Sequence, residues 1–212
     1  MHTLKADTGP AVRRELAHNP RLSLDLLGRL ASCVKVGATV LRRIATASLS
    51  EVARLAASSD PAVRTLAAAR RDLLPEIRDA LAADRDAKAL KNMAPHPGLI
   101  GAQLRIMVER HGDRVAVSVA ANPGTSPGLL EDLTRWLSLG RKLPRVVARH
   151  PAAPAGALDA CADDQRVRPP AARHPNVPTR TIVRLLADDW QVVEAAAANP
   201  SPSIGGREKQ LP

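Results

Sequence analysis

Apolar residues recur along the chain in a fixed register. Aligning the sequence on Pro20, Ser48, Arg71, Pro97, Pro123, Pro151, Pro175 and Pro200 gives eight repeats, with anchors 28, 23, 26, 26, 28, 24 and 25 residues apart. Three residues before each anchor stands an alanine: Ala17, Ala45, Ala68, Ala94, Ala120, Ala148, Ala172 and Ala197. Eight before stand Val12, Val40, Val63, Ala89, Val115, Leu143, Val167 and Val192, and four before stand Leu16, Ile44, Ala67, Met93, Val119, Val147, Ala171 and Ala196. These positions share one face of a helix, so each segment leading to an anchor predicts a short amphipathic helix.

The anchor ends that helix. Six anchors are prolines preceded by Asn or His: Asn19, His96, Asn122, His150, His174 and Asn199. Proline pushes the preceding residue out of the α region and cannot donate to the turn behind it. Ser23, Ser126, Pro154, Pro178 and Ser203 follow three residues on, where a second helix is expected to start; Ser126-Pro127 reads as an N-cap with proline in the first turn. The second helix shows apolar pairs three apart: Leu27/Leu30, Val52/Leu55, Leu104/Met107, Leu130/Leu133, Leu158/Cys161 and Ile182/Leu185. Acidic turns close the repeats, clearest at Asp60-Pro61, and the paired acids Asp163-Asp164 and Asp188-Asp189 read as helix caps. Val115 to Ala120 alternates like a strand, but its register partners Val12 to Ala17 and Val63 to Ala68 are helical in pattern, and stacked repeats share one conformation. Helix pairs this short cannot bury their faces alone. The expected fold is all-α, an α-solenoid of about eight repeats of 23 to 28 residues, with a tail over 1–10, one array over 11–204 and a second tail over 205–212.

The residues resemble the leucine-rich repeat variant (LRV) family, whose repeat runs V-R-x-x-V-A-x-[NH]-P-x-x-P-x-x-x-L-x-x-L-A. Val167 to Pro178, followed by Ile182 and Leu185, is the closest copy. The resemblance spans about residues 11 to 204 and implies a right-handed superhelix of alternating α and 3₁₀ helices without a sheet. Departures are a second repeat shortened between Ser48 and Val52, Arg70-Arg71 in place of the Asn/His-Pro pair, and no second helix after Ser203. Some members carry a cysteine-rich iron-sulfur segment at the N-terminus; nothing here matches it, and no cofactor is expected.

Composition narrows the function. The chain has 212 residues and a formal net charge of +10, with 25 Arg, 6 Lys and 38 Ala, a skew that a GC-rich bacterial genome also produces. Trp136 and Trp190 are the aromatic residues, so serial base stacking is excluded. Cys33 and Cys161 suit a reducing compartment and build no disulfide framework. With no signal-like start and no apolar run near 18 residues, a cytoplasmic protein without membrane contact is expected.

Candidate chemistry is sparse. His96, His150 and His174 sit where other repeats have Asn, so they are expected to hydrogen-bond backbone in the turn, and His18 is likewise read as structural rather than as a metal ligand. Cys161 replaces a core leucine. Arg13, Arg64 and Arg168 follow the same repeat valine and are expected to pair with a neighbouring acidic turn. Phosphate loops, nucleophile elbows and metal-spaced motifs do not occur, so no enzyme is expected. The candidate binding stretch is Arg135, Trp136, Arg141, Lys142, Arg145 and Arg149, in a lengthened repeat with no acid between Asp132 and Asp159. Such an insertion is expected to protrude as a loop on a binding face. The expectation is a scaffold that binds an acidic protein; the alternative is a nucleic-acid backbone held by a basic solenoid surface.

Overall fold

In the computed structural model, the structure describes residues 9–33, 40–136, 142–188 and 190–200. Among them the chain is helical throughout, with no strand. It packs as two compact units, Met1–Val115 and Ala116–Pro212.

In the N-terminal unit, α1 (Pro10–Ala17), α2 (Leu24–Leu30), α3 (Arg42–Ala45), α4 (Leu49–Ala56), α5 (Pro61–Ala68), α6 (Pro75–Ala82), α7 (Ala87–Met93) and α8 (Gly101–His111) follow one another, with a 3₁₀ turn at Ala31–Cys33. First helices stack on first helices and second on second: α5 packs on α7, and α4 on α6. The starts follow from local chemistry. Ser23 Oγ accepts from Leu26 N–H, Ser48 and Glu51 form a capping box, and Asp60 accepts from Ala62 N–H with Pro61 in the first turn. Asp86 caps α7 in the same way. After α8 the chain reverses at Gly112, whose φ of +50° suits a residue without a Cβ.

α9 (Asp113–Ala120) contains the segment whose alternation mimics a strand. The helix forms because Val115 and Val119, four apart, both lie in the core. The C-terminal unit continues with α10 (Pro127–Trp136), α11 (Leu143–Val147), α12 (Ala155–Cys161), α13 (Arg168–Arg173), α14 (Thr179–Leu185) and α15 (Trp190–Ala197). α10 packs on α12, and α13 on α15. Both helices of these repeats are α, whereas the resemblance implied alternation with 3₁₀. The tight i→i−3 bonds lie instead in the proline turns, as in His150 N–H to Val147 O and Ala153 N–H to His150 O.

The repeat alanines fill the core at Ala17, Ala68, Ala94, Ala120, Ala148 and Ala172. Two depart from that expectation. Ala45 is exposed because the shortened second repeat passes directly from α3 to the Ser48 cap, and Ala47 is the buried residue there. Ala197 is exposed while Ala195 and Ala196 are buried. Val12, on the predicted apolar face of α1, is 55% exposed. The segment after Ser203, the side chain of Cys33 and Asp189 lie outside the described residues.

Candidate binding surface

The Asn or His before the proline anchors builds a repeated hydrogen-bond unit. His96, His150 and His174 Nδ1 accept from the N–H of Gly98, Ala152 and Asn176, each at 3.1 Å, as Asn19 and Asn122 Oδ1 accept from Arg21 and Gly124 at 2.9 and 2.8 Å. An Nδ1 that accepts leaves Nε2–H to donate. His150 Nε2 reaches Asn122 O and His174 Nε2 reaches His150 O, both at 2.9 Å, and Asn199 Nδ2 reaches His174 O at 2.9 Å. Histidine and asparagine thus do the same work here: His150 and His174 accept within their turns and donate to the preceding repeat, and Asn199 donates to it as well. His96, 4% exposed, also meets the backbone at Arg71, and burial, with the Arg71 charge next, holds its imidazole below the ordinary 6.5.

Arg70 shows why the irregular third repeat still fits. It is buried, and its Nη1 donates to Ile44 O at 3.1 Å and Ala47 O at 2.6 Å, the latter being the carbonyl one position before the preceding anchor. Asp72 pairs with its remaining nitrogens. The guanidinium supplies the same backward donor as His or Asn. Sequence reading classed Arg70 as a departure because the shared property is donor reach rather than residue type.

The arginine that follows the repeat valine pairs across repeats as expected. Arg64 binds Asp84 through Nε and Nη2 at 2.7 and 3.0 Å, and Arg168 binds Asp188 at 2.6 Å. Asp84 is also an acceptor for Asp86 N–H; burial would raise its carboxyl, but these bonds hold it below 3.8. Asp159 accepts from Thr181 Oγ1 at 2.5 Å, Arg180 at 3.0 Å and Arg184 at 3.4 Å, and Arg184 also reaches Asp163. The Thr181 hydroxyl, aided by those arginines, holds the Asp159 carboxyl below 3.8 against its burial. Asp163 and Asp188 thus take arginine side chains, while Asp164 keeps a turn role through Arg166 N–H.

The described part of the basic stretch is helical at both ends. Arg135 lies at the end of α10 and is bound to Glu131 at 2.5 Å. Lys142 is the N-cap just before α11, Arg145 lies within it and Arg149 just after it, because Leu143 and Val147 turn inward into the core. Positions 142, 145 and 149 follow helical spacing and so share a face, and all three are exposed. They have no ion-pair partner among the described residues. Arg141 and the side chain of Trp136 lie outside the described residues.

Cys161 is buried in α12, and burial pushes its thiol up to about 12, so it packs as an inert apolar group. Among the described residues no three His, Cys, Asp or Glu side chains converge as a metal site, and no helix is long and apolar enough to cross a membrane. A shallow groove of about 300 Å³ beside α13 and α14 is lined by Asp163, Arg168, Arg184 and Asp188, all engaged in the pairs above. No family model, curated protein or solved structure matches the chain.

Proposed function

We propose that this protein is a non-enzymatic helical-repeat scaffold that binds an acidic protein through the exposed α11 face carrying Lys142, Arg145 and Arg149. On this reading residues 11–204 form one right-handed α-solenoid of about eight repeats, as the resemblance to the LRV family implies. The bonds linking equivalent turn positions, Arg70 to Ala47, His150 to Asn122 and His174 to His150, support stacking in one register. The observation that carries the binding reading is a contrast in pairing. Arg64, Arg168, Arg180 and Arg184 are tied to carboxylates of the chain itself, whereas the three cations of the α11 face have no such partner among the described residues. An array of unpaired cations attracts anionic partners and speeds their association.

The test compares labelled polyglutamate with duplex DNA, for the native chain and for Lys142→Gln/Arg145→Gln/Arg149→Gln. Polyglutamate binding at about 150 mM salt that is lost in the triple variant, with DNA held no tighter than about 10⁻⁴ to 10⁻⁶ M, supports the scaffold. Submicromolar, sequence-dependent DNA binding, with a log K against log salt slope that the triple variant flattens by about 2.7, overturns it in favour of a nucleic-acid backbone binder.

A further inference from the structure

Resting on that reading, we infer that the binding surface spans two successive repeats, α11 and α13, and takes a short, extended acidic peptide segment laid across them. The register makes the case. Lys142, Arg145 and Arg149 stand nine, six and two residues before their anchor; the same positions in the next repeat hold Arg166, Pro169 and Arg173. All five cations are exposed, and none has an ion-pair partner among the described residues. His174 Nε2 on His150 O, at 2.9 Å, joins the ends of the two helices immediately beside Arg173 and Arg149.

The surrounding charges are segregated. Five acids of this unit have partners of their own: Glu131 holds Arg135, Asp159 and Asp163 hold Arg180 and Arg184, Asp188 holds Arg168, and Asp164 faces the backbone N–H of Arg166. Exposed cations that have no ion-pair partner among the described residues repel one another, and an anionic segment relieves that repulsion.

The size of the face selects the ligand. Packed helices lie about 8 to 10 Å apart, and Lys142 to Arg149 covers about 10 Å along the axis. An extended peptide rises about 3.3 Å per residue, so carboxylates three residues apart match neighbouring helices. The cations thin out on both sides: nine before its anchor the preceding repeat still has the exposed Arg114, and the following repeat has Gln191. Positions six and two before the anchor are Val117 and Ala121 in the preceding repeat and Glu194 and Ala198 in the following one. Glu194 would repel a polyanion continuing across the repeats, as a duplex with a charge every 1.7 Å or so would. A short acidic segment ends before reaching it.

The experiment titrates fluorescein-labelled hexaglutamate and a short labelled duplex DNA against four chains: native, Arg166→Gln/Arg173→Gln, Lys142→Gln/Arg145→Gln/Arg149→Gln, and the control Arg29→Gln/Arg85→Gln. The control removes the same charge as the first variant from exposed positions of the other unit. Circular dichroism verifies that each chain is helical. The expected result is hexaglutamate binding weakened about fivefold by Arg166→Gln/Arg173→Gln and by less than about twofold in the control. If the α11 triple variant loses binding but Arg166→Gln/Arg173→Gln does not, the two-repeat surface is wrong while the scaffold reading stands. If neither variant changes binding, both readings fall. Duplex binding tighter than hexaglutamate and lost with Arg166 and Arg173 overturns the peptide as ligand.

Discussion

The two sides of the α11 to α15 region use the same residue type in opposite ways. Toward α12, α14 and the turn before α15, Arg168, Arg180 and Arg184 each find a carboxylate 20 to 25 residues away, in an adjoining repeat. On the outward face of α11 and α13, Arg145, Arg149, Arg166 and Arg173 find none among the described residues. What separates the sets is the repeat register, which decides whether an acid of the next repeat lies within reach. Paired arginines hold neighbouring repeats together; unpaired ones keep their charge for something outside the chain.

The contrast predicts that removing a pair costs stability and that removing the outward charge does not. The largest effect should come from Asp84→Ala, which deletes the N-terminal unit's counterpart of Asp188. The Asp84 side chain is 3% exposed and the Arg64 side chain 20%, so an uncompensated guanidinium would remain in a mostly buried site. A loss of about 3 kcal/mol in denaturant unfolding is expected. Ala172→Leu comes next: Ala172 is fully buried, and overpacking there should cost about 1 to 3 kcal/mol while leaving every cation in place. That variant would show whether the spacing of α13, and not its charge alone, matters for binding. His174→Asn is the matched control and should be nearly neutral, since Asn199 makes the same backward bond.

Acid should act through His96. Its folded imidazole lies below the unfolded value of 6.5, so the neutral ring's contribution is fully present above 6.5 and is lost as pH falls from there through the folded value. His96→Asn should flatten the pH dependence of the thermal midpoint in that window; an unchanged profile would show that the turn accommodates the charged ring. The smallest effect should be that of Arg149→Gln/Arg173→Gln, within about 0.5 kcal/mol of the native chain in denaturant unfolding. A larger loss would mean that these arginines are structural after all, and would erase the contrast.

Much of the framework was legible because it rests on short-range chemistry. Prolines stop helices wherever they occur, Ser23, Ser48, Asp60 and Asp86 cap the helix that follows, and the alternation of Asn and His before proline already pointed to one shared bonding role. The candidate surface was only half legible. Arg135 belonged to the basic stretch by sequence, but its neighbour Glu131 neutralises it four residues back. Arg166 and Arg173 lay outside the stretch because they are distant along the chain, and it is the bond from His174 to His150 that joins the turns beside Arg173 and Arg149.

The sequence by itself determined the helices, their breaks, the caps and the inward apolar stripe, since each depends on residues within about one turn of one another. Tertiary structure decided which donors and charges meet across 20 or more residues. It placed Arg70 in a role otherwise filled by Asn or His, exposed Ala45 where the shortened repeat moved Ala47 inward, and paired Arg64 and Arg168 while leaving Arg149 and Arg173 outward. Local pattern cannot settle such matters, because the energy of a buried donor or an ion pair depends on the partner that packing brings within about 3 Å.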